Sequence, residues 1–486
     1  MKTIKFVDTT LRDGSASLWA MEMRTHHMIP ALQELDEAGF DSLEFFAPGS
    51  RLKKFVRHLR EDPWAWIKQG TAVAKKTPLR WHGGPGGSRM SGHFSEEVGD
   101  LLISRAVELG IRQTRLMSNW NNIAAISADK QKLESLGMIP VIDLVYSVSP
   151  RHTDEYFIEK TRGIASLSPY RIALKDVGGL MTPDRVKDLL PRMMTEAPGI
   201  EWEFHGHCNN GFGPLNALAA VEVGFAYLHT AVSPLAYADS HPDAVNLAGN
   251  LSARGFGVDI DTDRVNAASA HLYQVAEEEG FPIGVPNPFD ENLYTHQVPG
   301  GMIANFRHQL KQIGMIDKLP EILEEVARVR KDFGYPIMVT PLSQIVGTQA
   351  AINVISGERY KEVSDESIHY ALGRHGGDEA IALMDEDVRD HILGRRRAQE
   401  LVDWVAPSPT LAELRERFGA GVSDDELILR AIVGDDAMEV VRAAEKSGSG
   451  LSSGDSLLTL VKKMAESPGT RSISVGDIGL SITVRT

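Results

Sequence analysis

Eight short apolar runs alternate with amphipathic stretches over the first 260 or so residues, and this alternation restricts the fold more than any other feature. The apolar runs predict strands at residues 4–10, 42–46, 79–82, 114–117, 140–146, 171–176, 201–207 and 227–233. Apolar residues at helical spacing mark the intervening stretches, such as residues 28–39, 96–110 and 183–194. Strand–helix alternation with short connections predicts a parallel sheet. Eight such units predict an α/β fold closed into a (β/α)8 TIM barrel.

Four residues at the ends of predicted strands fit one metal site: Asp13, Lys175, His205 and His207. In a barrel of this kind all strand ends open onto one face. Side chains two positions apart on a strand share a side, so the two histidines offer two nitrogens to one ion, and the aspartate adds an oxygen. The lysine binds a metal only when it is deprotonated or converted to a carbamate. The mixed ligands suit zinc, manganese or cobalt. The alternative is a pair of hydrogen-bonded strand histidines and a Lys175–Asp176 ion pair.

The composition fits a protein of the cytoplasm. The single cysteine, Cys208, excludes an intrachain disulfide, and the N-terminus has no signal-peptide pattern. No run of 18 apolar residues predicts a membrane span. A net charge of −15 argues against broad nucleic-acid binding.

The pattern becomes mostly helical after residue 262, which predicts a second region packed against the barrel mouth. The 486 residues suit a barrel of about 250 residues plus such a region. We predict three parts: the catalytic barrel at 1–262, a helical region at 263–443, and a tail at 444–486. The tail begins with a Gly/Ser-rich linker at 445–456 and is expected to contain one helix and a short strand pair.

The order of several motifs resembles the carboxyltransferase component of biotin-dependent enzymes, a family that includes pyruvate carboxylase, the oxaloacetate decarboxylase α subunit and the transcarboxylase subunit. The resemblance runs from about residue 4 to about residue 443. Its motifs are DTTLRDG near the start, EDPW at 61–64, SPRHT at 149–153, LKD at 174–176, HGH at 205–207 and PGG at 299–301, and its longest match is residues 329–360.

The resemblance implies roles for individual residues. Asp13, His205, His207 and a carbamylated Lys175 are the implied metal ligands, and Arg12 belongs to the implied catalytic set. Thr340 is the implied proton shuttle between biotin and the acceptor substrate. Its other interpretation is a simple helix N-cap, because Pro341 follows it. The implied reaction moves CO2 between carboxybiotin and an acceptor enolate that a divalent metal stabilises.

Three loops around the predicted substrate pocket depart from the family pattern. Ser15 and Ala16 stand where the family has histidine and glutamine, and residues 46–50 replace a WGGAT-like loop. An equal-length alignment puts Gly84 at a carboxylate-binding arginine. A guanidinium gives bidentate carboxylate recognition that glycine cannot. His82 lies beside this pocket and is either a substrate contact or structural. We therefore expect retained carboxyl transfer with a small acceptor other than pyruvate, although Arg80 and Arg89 are candidates to replace the missing charge.

Biotin is expected to arrive on a separate carrier protein. The nearest stretch to an attachment site is Lys462-Lys463-Met464, which lacks the flanking methionine of the family's carrier domain. A carrier protein and a biotin carboxylase are the expected partners, and a homodimer is the expected assembly. Two alternatives stay open: a metal-dependent aldol or Claisen-type lyase or synthase, and a non-catalytic scaffold subunit.

Overall fold

The protein is described by a computed structural model that covers residues 3–84, 94–300, 303, 306–307, 310–311, 314–446, 473–477 and 480–484. Eight parallel strands form its centre. They are β1 (Thr3–Asp8), β2 (Ser42–Phe46), β3 (Leu79–His82), β4 (Gln113–Met117), β5 (Ile139–Val145), β6 (Arg171–Asp176), β7 (Glu201–Gly206) and β8 (Tyr227–Thr230).

The eight strands close into a barrel. They follow one another in chain order from β2 to β8, and β1 pairs with both β8 and β2. Every pairing in this ring is parallel. The predicted TIM barrel is therefore confirmed. A ninth short strand, β9 (Gly257–Val258), pairs with the beginning of β1 on the outside of the ring.

Helices follow the strands and surround the barrel. In chain order they are α1 (Ser15–Leu18), α2 (Thr25–Glu37), α3 (Pro48–Lys54), α4 (Pro63–Val73), α5 (Glu96–Glu108), α6 (Ile123–Ser135), α7 (Asp154–Ser166), α8 (Pro183–Thr195), α9 (Gly213–Glu222), α10 (Ala244–Ala253) and α11 (Thr262–Glu279). Side-chain caps fix several starts. Thr182 accepts from the backbone N–H of Arg185 at 3.1 Å, and Pro183 occupies the first turn of α8, as the sequence indicates.

The remaining described elements are mainly helical. They are α12 (Leu293–His296), a 3₁₀ turn (Ile316–Lys318), α13 (Leu319–Asp332), α14 (Leu342–Ser356), α15 (Asp365–Ala371), α16 (Gly377–Leu383), α17 (Glu386–Leu393), α18 (Arg396–Val402), α19 (Leu411–Phe418), α20 (Asp424–Val433) and α21 (Ala437–Lys446). An antiparallel strand pair, β10 (Ile473–Asp477) and β11 (Leu480–Val484), follows them. The predicted strand pair of the tail is present.

Two apolar cores organise these helices. The barrel core takes in α11 and, from the C-terminal part, α19 to α21 through residues such as Leu414, Leu427 and Val441. A second core is formed by α13 to α18 together with Val298, which follows α12, and Trp120 of a barrel loop. The helical region proposed at 263–443 therefore contributes to both cores, and its residues Ile337 and Val339 pack against Val145 at the end of β5.

Some predictions concern residues outside the described part of the chain. They are most of the Gly/Ser-rich linker at 445–456, the Lys462-Lys463-Met464 stretch and Arg89. Within the part that the structure covers, no helix combines the length and the apolar character needed to cross a membrane.

Charged side chains fill the interior of the barrel below its open face. Glu203 on β7 accepts from Arg80 at 2.7 Å, from Arg171 at 3.1 Å and from His229 at 2.9 Å. Burial alone would raise the pKa of this carboxyl, but Arg80 and His229 hold it well below its ordinary value. Arg80 has no exposed surface, so Glu203 neutralises a charge that water does not reach.

Glu203→Ala is expected to lower the free energy of unfolding by about 3–5 kcal/mol, because it removes the carboxylate that is hydrogen-bonded to the buried Arg80 guanidinium and leaves the Asp41 carboxylate 3.9 Å from it. Guanidinium-induced unfolding followed by circular dichroism measures this change. Glu108→Ala is the matched control, since Glu108 is exposed and pairs with Arg105 one turn away, and it should unfold near the wild-type midpoint. Equal midpoints for the two variants would contradict the assigned role of Glu203.

Candidate functional site

Asp13 lies at the open face of the barrel on a wide helical turn, Thr10–Gly14, that directly follows β1. Its backbone N–H donates to the Thr9 carbonyl at 2.8 Å, and its Oδ2 forms an ion pair with an Arg12 terminal nitrogen at 3.0 Å. Arg12 in turn donates through Nε to Glu44 at 2.8 Å. Burial alone would raise the pKa of Asp13, but Arg12 and the neighbouring histidines hold it well below its ordinary value. Asp13 is therefore an ionised carboxylate with a fixed direction.

His205 and His207 reach the same point from β7. Their Nε2 atoms lie 3.3 Å apart, and they lie 3.3 Å and 3.6 Å from Asp13 Oδ2. Residues two apart on a strand share a side, which is why the HxH pattern brings both rings inward. The structure thus brings together three of the four residues that the sequence assigns to a metal.

A third histidine, His241, joins this cluster and was missed by the sequence reasoning. It lies in the loop after β8, is fully buried, and places Nε2 3.3 Å from Asp13 Oδ2. These four side chains can offer one ligand atom each within 4.8 Å of one another. The sequence indicated His241 only through its position after the eighth strand, because the loop that follows this strand must open onto the same face of the barrel as the other strand ends.

Hydrogen bonds fix two of the rings in a metal-binding tautomer. His207 Nδ1 lies 2.7 Å from the Asp239 carbonyl oxygen, and His241 Nδ1 lies 3.1 Å from the Gly206 carbonyl oxygen. A carbonyl only accepts, so each Nδ1 carries the proton and each Nε2 turns a lone pair toward Asp13. Burial lowers the pKa of His241 to about 3, so this ring is neutral.

His205 has a second set of neighbours below the cluster. Its Nδ1 lies 2.7 Å from an Arg115 nitrogen and 3.0 Å from His229 Nδ1. Accepting from Arg115 puts the proton of the neutral ring on Nε2, facing Asp13. To hold an ion through Nε2, His205 would have to carry its proton on Nδ1, where His229 Nδ1 could accept it because His229 Nε2 donates to Glu203.

The donor set fits a divalent cation. The lone pairs of His207 and His241 lie close to a carboxylate oxygen of Asp13, and these electron-rich atoms repel one another. A cation bound between them would remove this repulsion by coordinating all three. Three imidazole nitrogens and one carboxylate oxygen match the ligands and number preferred by zinc and related ions.

Lys175 lies next to this cluster on β6, where its Cα pairs with that of His205. Its Nζ contacts Asp143 Oδ2 at 3.3 Å, and His82 Nε2 and Met117 Sδ both at 3.5 Å. Burial lowers the pKa of Lys175 to about 8, although Asp143 opposes the shift. In this structure the amine thus lies against Asp143 and His82 rather than among the ligand atoms around Asp13.

One cavity of about 590 Å³ joins most of the predicted site residues at the barrel mouth. Its wall includes Arg12, Asp13, Ala16, His82, Gly84, Lys175, His207 and Thr340. Ser15 is fully buried, so Ala16 rather than Ser15 forms that part of the wall. A Cβ at Gly84 would meet Leu116 at 2.9 Å, so glycine keeps this wall close to the barrel.

Thr340 reaches the cavity from the second region. It is exposed, and helix α14 begins at Leu342 with Pro341 in the N-cap position and no side-chain cap. The interpretation of Thr340 as a plain N-cap is therefore wrong. Its hydroxyl faces a cavity that also contains Asp13 and His207.

Comparison with known proteins places the chain in a family. A model described as "HMGL-like" matches residues 110–272, and one described as "Conserved carboxylase domain" matches residues 293–466. A pyruvate carboxylase subunit of Methanothermobacter thermautotrophicus is 32% identical over 443 residues, which are 89% of this chain and 76% of that protein. The corresponding pyruvate carboxylase subunit of Methanocaldococcus jannaschii is also 32% identical, over 77% of this chain and 66% of that protein.

A third relative is the 2-oxoglutarate carboxylase large subunit of Hydrogenobacter thermophilus, 30% identical over 92% of this chain and 69% of that protein. The carboxyl transferase domain of Rhizobium etli pyruvate carboxylase, solved with pyruvate, has the same fold, with a TM-score of 0.82 at 21% identity over 99% of this chain and 83% of that chain. The chain belongs to the biotin-dependent carboxyltransferase family. This membership favours a carboxyltransferase over the lyase and scaffold alternatives.

Proposed function

We propose that the protein moves a carboxyl group between carboxybiotin, carried by a separate protein, and a small enolisable acceptor bound at the barrel mouth. The observation that supports this most directly is the shared cavity of Asp13, His207, Lys175 and Thr340. The cavity brings together metal donors, a buried lysine and a hydroxyl from the second region. A carboxyl transfer requires groups for both of its halves, the release of CO2 from carboxybiotin and its addition to the acceptor. The direction of net reaction depends on which carboxylated compound is supplied.

A divalent ion is proposed at Asp13, His205 and His207, with zinc, manganese and cobalt as candidates. His241 offers a further nitrogen, and Lys175 adds an oxygen once CO2 converts its amine to a carbamate. When bound, the ion supplies a Lewis acid for the acceptor's oxygen. The Arg12 guanidinium, which Glu44 holds in place, orients the Asp13 carboxylate through an ion pair.

Thr340 is proposed to pass a proton between acceptor and biotin. A hydroxyl both donates and accepts, so one group can take a proton from one partner while giving its own to the other. The absence of a capping hydrogen bond from this side chain to α14 leaves its Oγ1 available for that exchange.

The acceptor is proposed to differ from pyruvate. Gly84 and Ala16 line the cavity where the family carries larger side chains, and Ala47–Gly49, from the loop that departs from the family's WGGAT-like pattern, line it as well. Arg80 does not replace the family arginine, since it is buried against Glu203 and Gln113 inside the barrel. The relatives act, by their names, on pyruvate and on 2-oxoglutarate, which shows that acceptors vary among similar chains.

A biotin carrier protein and a biotin carboxylase are the proposed partners. Two relatives are named as single subunits of a carboxylase, which supports an enzyme divided among several chains. A homodimer of this chain is also proposed, and sedimentation or light scattering tests it.

Decarboxylation assays with free biotin test the proposed function. Metal-loaded protein is incubated with oxaloacetate, with oxalosuccinate and with methylmalonyl-CoA, each with and without biotin, and CO2 release is measured. We expect biotin-stimulated release, faster from one of the two bulkier compounds than from oxaloacetate. Fastest turnover of oxaloacetate would overturn the changed acceptor. If no compound from a wider panel of carboxylated oxo acids responds to biotin, the carboxyltransferase proposal itself fails.

A further inference from the structure

Arg51 is a buried guanidinium without an acidic partner. It lies on α3, is 1% exposed, and its Nε and one terminal nitrogen have no hydrogen-bond partner among the described residues. Its other terminal nitrogen contacts the Met28 sulfur at 3.1 Å, and its Cζ lies 5.6 Å from the centre of the Phe55 ring. Burying a charge this deeply is costly unless an anion compensates for it.

The other deeply buried arginines of the barrel all have carboxylates. Arg80 pairs with Glu203, Arg115 pairs with Glu44 and Asp143, and Arg171 pairs with Asp41. Residues 85–93, which the structure does not describe, include no aspartate or glutamate. Arg51 therefore differs from its neighbours in needing a negative charge that does not come from this part of the protein.

The position of Arg51 indicates where that charge comes from. It belongs to the wall of the 590 Å³ cavity, in which Asp13 is the one acidic residue of the described lining and already contacts Arg12. The other buried cations of this wall, Arg12 and Lys175, have the carboxylates of Glu44 and Asp143 beside them. Arg51 is thus the buried cation of the wall that an anion in the cavity would compensate.

We propose that Arg51 binds a carboxylate of the acceptor, so that the acceptor is a carboxylic acid whose enolisable carbon faces the Asp13 cluster. This inference rests on the proposed function and names its substrate class. A planar guanidinium accommodates a carboxylate through two parallel hydrogen bonds. In this arrangement Arg51 on α3, and not the segment that contains Gly84, contacts the carboxylate of the acceptor. The acceptor then differs in shape from pyruvate but keeps its negative charge.

Equilibrium binding separates this role from a structural one. Isothermal titration calorimetry on metal-loaded protein compares pyruvate with methyl pyruvate, and 2-oxoglutarate with its dimethyl ester. Wild type is expected to bind at least one acid more tightly than its ester. Arg51→Met should weaken binding of that acid about 10- to 100-fold and abolish the preference over the ester, with metal content unchanged. Arg162→Met, at an exposed arginine paired with Glu196, is the matched control and should behave as wild type.

Other outcomes overturn the proposal. An Arg51→Met protein that keeps the wild-type preference for the acid shows that Arg51 only packs against Met28 and Phe55. A wild type without any acid preference shows that the cavity does not select carboxylates. If Arg51→Met does not fold, Arg51→Lys decides, since it keeps the charge but loses the bidentate geometry and should bind several-fold more weakly. If binding of the acid depends on Arg51 but wild type shows no biotin-dependent turnover, the proposed function is refuted. The assignment of Arg51 as an anion-binding residue is then retained.

Discussion

Thr340→Ala is expected to reduce biotin-dependent carboxyl transfer by about 100-fold or more, which is the usual range for removal of a general acid–base group. The substitution deletes a hydroxyl that makes no helix cap and faces the cavity shared with Asp13 and His207. Because the residue is exposed, the folded state should be unaffected. The measurement is the rate of biotin-stimulated decarboxylation of whichever compound wild type turns over fastest, taken at saturating substrate.

Two replacements at the same position control this experiment. Thr340→Ser keeps the hydroxyl and should retain a substantial part of the rate, whereas Thr340→Val keeps the shape and should be as slow as alanine. All three proteins should contain as much metal as wild type and melt at the same temperature. Wild-type turnover by the valine variant would show that the hydroxyl carries no proton, and the transfer would need a different group in the cavity.

Strand positions were largely predictable because alternation and apolar character are local properties of the sequence. The predicted bounds of β2, β3 and β6 agree with the structure, while β8 ends at Thr230 rather than at residue 233. Beyond Thr230 the chain stays apolar, yet Ala231 pairs with Asp243 in its own loop rather than with a barrel strand. Hydrophobicity alone does not distinguish a residue buried in a barrel strand from a residue buried in a loop.

The site was predictable where it follows from strand ends and not where it depends on loops. Asp13, His205 and His207 meet because they lie at or just after the carboxyl ends of strands of one barrel. His241 in the loop after β8 and Arg51 on the short helix α3 lie between strands, where the strand pattern does not indicate direction, and they were missed. Arg51 is a candidate because no carboxylate pairs with it among the described residues, and this can be seen only in the folded structure. The contact of Lys175 with Asp143 is likewise set by side-chain direction within the barrel.

Substitution of His207 or His241 by alanine is expected to weaken metal binding by more than about 100-fold. Loss of a residue that only orients a ligand typically weakens binding by about 10- to 100-fold, and loss of the ligand itself should weaken it more. Both rings point an unprotonated Nε2 at Asp13, and backbone carbonyls hold them in that tautomer. Competition against a zinc chelator gives the affinity, and elemental analysis after dialysis gives the content. His271→Ala is the matched control, because that ring contacts a backbone carbonyl on α2 outside the cavity.

The comparison of His241→Ala with Lys175→Ala then identifies the ligand that completes the site. If His241 completes it, Lys175→Ala retains metal even in CO2-free buffer, because the four donors around Asp13 are all present without a carbamate. If the carbamate completes it, Lys175→Ala loses metal, wild type loses metal when CO2 is removed, and His241→Ala keeps its metal. Retention of metal by His207→Ala and His241→Ala alike would contradict the assignment of the cluster itself. Convergence of three imidazole Nε2 atoms on one carboxylate oxygen at 3.3–3.6 Å, with an Arg12 nitrogen in an ion pair with that same oxygen, argues for the first outcome.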